Sequence, residues 1–391
     1  MDPGTADSTV AAVRRLTIAV LLAPSAHPAS AQMDTLDTLD LSSDPIATVV
    51  PAEYDGGFFA RIGDVVVNDL GIWVGDGGNG HVLWFDRGGN LLSRYGREGS
   101  GPGEWLSPGI VSIDSILTVS DSRQGRYVRY WLDGRHLETV RARHFPDPGG
   151  GELPLTDAVP LEGGFTVGMI PAIYRVSRSR DVIYDLRNHV VLLAPGGESA
   201  DTLLSFNWGG AGWTTAVMGA VQSTHFGAAG AWDVLGDSAV VLADGVAGKL
   251  TIVSPEAGLV RADTFDLGFA GRAVTERDLD DVEEDIREGA SRDLPREMEI
   301  DAPAYWSVAT RLIPAGDHVF WLRQGVDDGR GHWVVVDIET MRKWMVILPE
   351  RFRLRDVRGD LLFGVATDEL DVPSVGALMN PITAELVPEP A

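Results

Sequence analysis

One segment of this chain returns 45 residues later without a gap. In the first copy, an apolar run leads into a turn rich in Gly, Asn and Asp, and an alternating strand follows. The landmarks of the two copies align as follows: Asp76 with Asp121, Asn79 with Gln124, Gly80 with Gly125, Val82–Phe85 with Tyr127–Tyr130, and Gly89 with Gly134. Period-2 apolar runs between such turns predict antiparallel hairpins, because those turns require positive φ. The chain must therefore fold into copies of one small β unit.

Further copies of the unit occur along the chain. A third lies at Val240–Val253, and a degenerate fourth runs from Phe320 to Asp337 around a Gly/Asp-rich insertion. A unit of four short strands recurring every 40–50 residues or so is typical of a β-propeller blade. A long meander or a β-sandwich is the alternative, but an ungapped repeat would then be a coincidence. We predict an all-β fold, a six-bladed propeller over residues 46–385.

The first copy also carries a family resemblance. Its pattern V-x-D-x-x-x-x-x-V-x-x-F-D-x-x-G-N-L-L-x-x-x-G, followed by Gly99–Trp105, resembles an NHL-type repeat. The segments Arg353–Val357 and Asp368–Val372 resemble the last blade of secreted bacterial six-bladed propellers. The resemblance covers about residues 46–385, although the third blade, at about 158–206, departs from the pattern. It implies a fold and no established activity.

The start of the chain is typical of an export signal. Arg14 and Arg15 precede an apolar run at residues 16–23, and Ala29-Ser30-Ala31 then provides a cleavage site. The run is too short to span a bilayer. A disordered Ala-rich tail is the alternative interpretation. With no cysteine there is neither a lipid-anchor cysteine nor a disulfide framework. We predict a signal peptide over residues 1–31 and a periplasmic or extracellular monomer.

Residues 32–45 are acidic and repetitive, which predicts a linker. The β-branched run Ile46–Val50 then precedes the first blade, whereas the last blade lacks a clear fourth strand. A closed ring must leave no exposed sheet edge. We therefore predict that Ile46–Val50 completes the last blade and closes the ring, and that residues 386–391 form a tail.

The charge balance disfavours two classes of partner. There are 57 acidic and 32 basic residues, a formal net charge of −25. This charge repels phosphate backbones and anionic membranes, and no cluster of Lys or Arg reverses it locally. Nucleic acid is therefore not an expected partner.

Two insertions interrupt the blade spacing. Asn207–Gln222 carries Trp208 and Trp213 in a Gly-rich loop; the indoles either stack on a sugar or peptide side chain or fold back over the blades. Ala270–Pro303 predicts a short helix between blades four and five, with Thr275 and Asp278 as a capping box. The acidic face of this helix is either solvated or a site for calcium or a basic partner, but it lacks the spacing of a calcium-binding loop.

No catalytic motif is present. The sequence has no G-x-S-x-G, H-E-x-x-H or phosphate-loop pattern, and its histidines are scattered without metal-ligand spacing. Some propellers of this general shape are calcium-dependent lactonases or esterases with an acid and amide quartet in the channel. Asn68, Asn79, Glu104 and Asp356 are the candidates for such a quartet here. A metal-dependent hydrolase or lyase in the central channel, with calcium as a possible cofactor, is thus the second hypothesis.

The first hypothesis is a non-catalytic module that binds a peptide, protein or glycan on one face of the propeller. In a four-stranded blade, the turn between strands two and three lies on the same face as the crossing to the next blade. The candidate binding residues on that face are Asp76, Asn79, Arg97, Glu104, Trp105, Trp208, Trp213, Arg323 and Glu369.

Overall fold

The structure is a computed structural model that describes residues 36–386, with gaps at 148–150, 172, 177–181, 186, 196–199, 208–210, 214–220, 224–229, 257–258, 270–272, 290–299, 302–305 and 325–329. The predicted signal peptide lies outside the described residues, as does most of the predicted tail.

Six antiparallel sheets confirm the predicted propeller. From the inner to the outer strand, blade 1 comprises Ile62–Asn68, Gly71–Asp76, His81–Phe85 and Leu91–Tyr95; blade 2 comprises Pro108–Ile113, Ile116–Asp121, Arg126–Trp131 and His136–Arg141; blade 3 comprises Thr156–Pro160, Thr166–Ile170, Arg187–Leu193 and Ala200–Asn207. The remaining blades are Gly230–Leu235, Ala239–Asp244, Lys249–Glu256 and Leu259–Asp266 (blade 4); Arg311–Pro314, Val319–Arg323, Gly331–Asp337 and Lys343–Leu348 (blade 5); and Phe352–Arg358, Leu361–Thr367, Pro373–Met379 and Ala47–Val50 (blade 6). The inner strands contact one another around the axis.

The N-terminal strand closes the ring as predicted. Ala47–Val50 pairs antiparallel with Pro373–Met379 and becomes the outer strand of blade 6. Val50 is fully buried in an apolar cluster that also contains Ile72 of blade 1 and Phe363 of blade 6. The strand thus covers the open edge of the last blade and packs across the seam between the two ends of the ring.

Part of the segment predicted to be a linker forms a further strand. Asp37–Asp40 pairs parallel with Lys343–Leu348 and adds a fifth strand to blade 5. Leu39 and Leu41 pack against the apolar core of blades 5 and 6. The regularly spaced leucines of this acidic stretch therefore have an apolar surface to cover, which its charged composition does not reveal.

Blade 3 departs from the repeat because a hairpin is inserted in it. The strands Ile173–Val176 and Val182–Asp185 lie between its second and third strands. The insertion lengthens the turn that is short in blades 1 and 2, so the repeat spacing is lost here.

The predicted helix occupies Glu276–Gly289, between blades 4 and 5. Its capping box forms: the backbone N–H and hydroxyl of Thr275 both donate to Asp278 Oδ2 at 2.7 Å. No described helix has the length and apolar character needed to cross a membrane.

The remaining elements are short. They are the helix Pro381–Leu386, the 3-10 turn Glu162–Gly164, the hairpins Glu53–Tyr54/Gly57–Phe58 and His144–Asp147/Gly151–Pro154, and a small sheet of Ala211–Trp213, Val221–Ser223 and Ile300–Asp301.

Candidate functional site

The turns between strands two and three and the crossings between blades meet on one side of the ring, which we call the loop face. In blade 1 these are residues 77–80 and 96–107. The indole Nε1 of Trp105 donates to the carbonyl oxygen of Gly80 at 2.7 Å, so the crossing is anchored on the turn. Asp76, Asn79, Arg97, Glu104 and Trp105 therefore lie in one neighbourhood.

Asp76 joins the turn of blade 1 to the chain that enters the blade. Its side chain is fully buried and accepts backbone N–H groups from Ala60 and Arg61 in the chain entering the blade. It also accepts the N–H groups of Gly78 and Asn79, and the Nδ2 of Asn79 at 2.8 Å. A carboxylate with this many donors is a structural anchor with no acceptor capacity left for a ligand.

Asp121 repeats the arrangement in blade 2. It is fully buried and accepts the backbone N–H groups of Leu106 and Ser107 in the incoming crossing. Gln124 Nε2 donates to it at 2.7 Å, in the place where Asn79 donates to Asp76. The aligned acids of the sequence repeat thus share one structural role.

Trp105 and Glu104 are also engaged within the protein. Trp105 is fully buried and packs edge-to-face on Tyr130. Glu104 accepts the N–H of Gly101 and the Nε of Arg97, both at 2.7 Å. These hydrogen bonds, that of Gly101 first, lower the pKa of the Glu104 carboxyl. Arg97 is the exposed member of the group.

The other predicted binding residues are spread over the ring. Arg323 ends the second strand of blade 5 and is exposed, and Glu369 is exposed in the turn after the second strand of blade 6. Trp213 belongs to the small sheet outside the blades. Trp208 lies outside the described residues.

An apolar groove borders the loop face between blades 1 and 6. Tyr54, Phe58, Phe59 and Val372 line it, and Phe58 is 63% exposed. Asn79 reaches this groove by donating from Nδ2 to the carbonyl oxygen of Phe58 at 2.7 Å. The groove offers mainly apolar contact, and Glu53 adds one carboxylate to its lining.

The central channel holds a different set of charges. A cavity of about 500 Å³ lies between the inner strands of blades 1 to 5. It is lined by charged, apolar and aromatic residues, among them Asp64, Ile110, Asp157, Phe206, Trp232, Asp233 and Arg311. Arg355 lies close enough to Arg311 and Asp64 for their charges to act on its pKa. The volume is within the range of small-ligand sites, about 300–1,000 Å³.

Irregular inner strands position two of these side chains. The register of blade 3 shifts between Thr156 and Val159, and Asp157 within that bulge has φ 52°. The register of blade 6 shifts between Leu354 and Asp356, which makes Arg355 the extra residue of a second bulge. Bulges change the direction in which a side chain points and recur beside functional sites. They break the alternation that would otherwise set which residues face the axis.

Two of the channel carboxylates are held by the neighbouring blade. Asp64 of blade 1 accepts the backbone N–H of Ile110 in blade 2 at 3.2 Å. Asp356 of blade 6 accepts that of Val67 in blade 1 at 2.6 Å and pairs with Arg358 at 3.3 Å. These two acids therefore join adjacent blades.

The other charged groups of the channel lack such partners. Arg355 Nε is buried without a hydrogen-bond partner. Within the described part of the chain we find no hydrogen bond or ion pair to the guanidinium of Arg311 or to the carboxylate of Asp157. Among the described residues, the backbone N–H of its neighbour Val234 is the one hydrogen-bond donor we find to Asp233. A buried polar atom without a hydrogen-bond partner is costly, so Arg355 Nε indicates a place where a ligand can bind.

The pKa values reflect this environment. Burial, and after it the charge of the nearby Arg311, lower the pKa of Arg355 to about 10. Burial also raises the pKa of Asp233 to about 6, against the opposing effect of Arg311. The pKa of Asp157 is raised by burial between the channel walls and by the charge of Asp64. Asp157 and Asp233 line the cavity and Arg355 lies near Arg311, which also lines it; shifted pKa values grouped in this way indicate a functional site.

The proposed calcium quartet does not converge. Asn79 and Glu104 lie on the loop face with partners of their own, whereas Asn68 ends the inner strand of blade 1 at the opposite face. Asp356 accepts the backbone N–H of Val67, the residue before Asn68. Across the described ranges, no three His, Cys, Asp or Glu side chains are arranged to hold a metal ion.

Five charged residues of the channel were not predicted from the sequence: Asp64, Asp157, Asp233, Arg311 and Arg355. The signal for them is a charged residue inside the innermost strand of a blade, where one side of the strand must face the axis. The segment Arg353–Val357, which also carries the family resemblance described above, shows this pattern.

The sequence matches no protein-family model and no curated protein. Solved structures do resemble the fold. A putative exported protein from Bacteroides fragilis is 13% identical with a TM-score of 0.51, over 88% of this chain and 97% of that one. A member of the DUF4221 family from Bacteroides vulgatus is 8% identical with a TM-score of 0.50, over 86% and 95%. These similarities show a propeller fold shared with bacterial proteins, one of them named as exported. The NHL-type resemblance stays a prediction.

Proposed function

We propose that this chain is an extracytoplasmic, non-catalytic binding module whose ligand enters the central channel from the loop face. The observation that carries the proposal is the set of channel charges without hydrogen-bond partners among the described residues, above all the buried Nε of Arg355. Arg323, predicted as a binding residue, acts on the pKa of both Arg311 and Arg355 and therefore lies near them. The loop face and the channel then form one continuous site.

A charged peptide is the ligand class that suits this site best. The cavity combines charged groups with Phe206 and Trp232, and aromatic rings beside a few fixed charges are typical of ligand sites. The predicted export signal and the resemblance to an exported protein support a location outside the cytoplasm.

A peptide library tests the proposal through binding and thermal shift. We expect peptides retained by the wild-type protein to be lost by an Arg311→Gln/Arg355→Gln double variant and kept by Arg261→Gln, an exposed arginine on the outer strand of blade 4. Binding that ignores the double variant would overturn the channel site. Calcium titration with melting tests the hydrolase hypothesis separately, because a resident metal would stabilise the native state strongly.

A further inference from the structure

Asp64 and Asp356 are held by the backbone of a neighbouring blade, and the remaining channel charges are separated by sign around the ring. Asp157 and Asp233 come from the inner strands of blades 3 and 4, whereas Arg311 and Arg355 come from those of blades 5 and 6. In a ring of six, blades 3 and 6 stand opposite each other. For these four side chains we call blades 3 and 4 the acidic wall and blades 5 and 6 the basic wall; Asp157 and Arg355 come from opposite blades, and Asp233 and Arg311 from adjacent ones.

We propose that the channel binds a zwitterion, specifically a short peptide held by both of its charged termini. This inference rests on the proposed function and adds the class of the ligand. Arg311 and Arg355 receive the terminal carboxylate, and Asp157 and Asp233 receive the terminal ammonium group. Arg355 supplies an Nε–H without a partner, one of the donors with which a guanidinium grips a carboxylate.

The net charge of the protein distinguishes a zwitterion from a simple anion. With a formal charge of −25, the protein repels free anions, and the two arginines would have to overcome that field alone. A zwitterion carries no net charge, so the overall field does not oppose its entry. A simple cation would be repelled by Arg311 and Arg355, because both side chains are positively charged.

The orientation follows from the partners already formed. Asp64 and Asp356 are engaged by the backbone of neighbouring blades. Asp157, with no hydrogen bond among the described residues, is the carboxylate with acceptor capacity to spare. Its position in the bulge of blade 3 fixes it on the acidic wall.

The cavity also limits the length of the ligand. About 500 Å³ accommodates a peptide of a few residues and no folded domain. Phe206 and Trp232 line the same cavity and offer apolar contact to the side chains between the termini.

Calorimetry with alanyl-alanine and its blocked forms tests the inference. We expect the free dipeptide to bind, and both the N-acetylated and the C-amidated forms to bind about tenfold more weakly or worse, since a charged hydrogen bond is lost. Arg355→Gln should weaken binding of the free dipeptide and abolish the effect of amidation. Asp157→Asn should likewise abolish the effect of acetylation.

The controls keep the outcomes distinct. Arg261→Gln and Asp263→Asn, both exposed on the outer strand of blade 4, should bind as the wild type does. Unchanged melting of each channel variant establishes that it folds, and Arg355→Lys provides a second variant that keeps the charge.

Two results would overturn the proposal that the channel binds a zwitterion. One is equal binding of the free and doubly blocked dipeptides; the other is failure of the free dipeptide to bind. If succinate then binds through Arg355 where the dipeptide does not, the channel is an anion site and the proposed function survives. If no library peptide depends on Arg311 or Arg355 either, the proposed function falls as well.

Discussion

The turns of blades 1 and 2 and the central channel both contain charged side chains, but the hydrogen bonding of these side chains differs. Asp76 and Asp121 occur at matching positions of the repeat and are saturated with donors from their own blade and the crossing before it. In the channel, Asp157 and Arg355 occur where the inner strands are irregular, and hydrogen bonds do not saturate them.

This contrast separates structural from functional charge. A carboxylate that recurs at the same position of blades 1 and 2 serves what these copies share, which is the joining of a blade to the chain that enters it. A charge that occurs once, in a bulge, serves the central channel, which forms only when all six blades are assembled. Repetition therefore argues against a ligand role for Asp76, even though it made this residue conspicuous in the sequence.

The largest expected effect is on the turn acids. Asp76→Ala leaves several buried N–H groups without an acceptor, so we expect the free energy of unfolding to fall by about 3–5 kcal/mol. Asp121→Ala should behave alike. Urea denaturation measures both, and a loss below about 1 kcal/mol in either variant would contradict the assigned role.

Two arginines sharpen the contrast at somewhat smaller cost. Arg126 donates to Asp121 and to the carbonyl oxygens of Ser100 and Glu104, so Arg126→Met should lower the free energy of unfolding by about 2–3 kcal/mol. Arg355→Met removes a charge that lacks these partners and should leave the stability unchanged or raise it by about 1 kcal/mol. Equal losses in chemical denaturation would show that Arg355 is a structural residue.

A smaller effect is expected in the pH dependence of melting. The pKa of Asp233 is raised from 3.8 to about 6 by burial, beside Arg311, Asp356 and Arg358. The native state therefore holds a proton that the unfolded chain has released, and stability rises as the pH falls from about 6 towards 4. Relative to Asp233→Asn, the wild type should gain about 1–2 °C in melting temperature over this interval. A constant difference between the two would disprove the shift.

The smallest effect is expected at Asp157. Asp157→Asn removes no hydrogen bond seen among the described residues, and asparagine tolerates the left-handed backbone at φ 52°. The free energy of unfolding should change by less than about 0.5 kcal/mol. Asp76→Asn, measured beside it, should cost several times more; similar values would remove the distinction between the two regions.

The fold was largely predictable, and the channel was not. The repeat fixed the spacing of blades 1 and 2, and the β-branched run Ile46–Val50 indicated the closing strand. The inserted hairpin hid blade 3, and the acidic residues around Leu39 hid the fifth strand of blade 5.

The channel site could not be predicted from the sequence, and the reason is physical. A side chain's direction follows from strand alternation, and a bulge shifts that alternation by one residue. Asp157 and Arg355 lie at such shifts, so no reading of the period places them on the axis. The turn residues were visible because they repeat, and they repeat because they are structural.

The segment that closes the ring also straps two blades together. Residues 37–40 belong to blade 5 and residues 47–50 to blade 6, and one short connection joins them. These two blades carry Arg311 and Arg355. Moving the two blades apart would require one of them to lose its N-terminal outer strand. The two blades that carry the channel arginines are thus joined through a segment that lies far from both arginines in the chain.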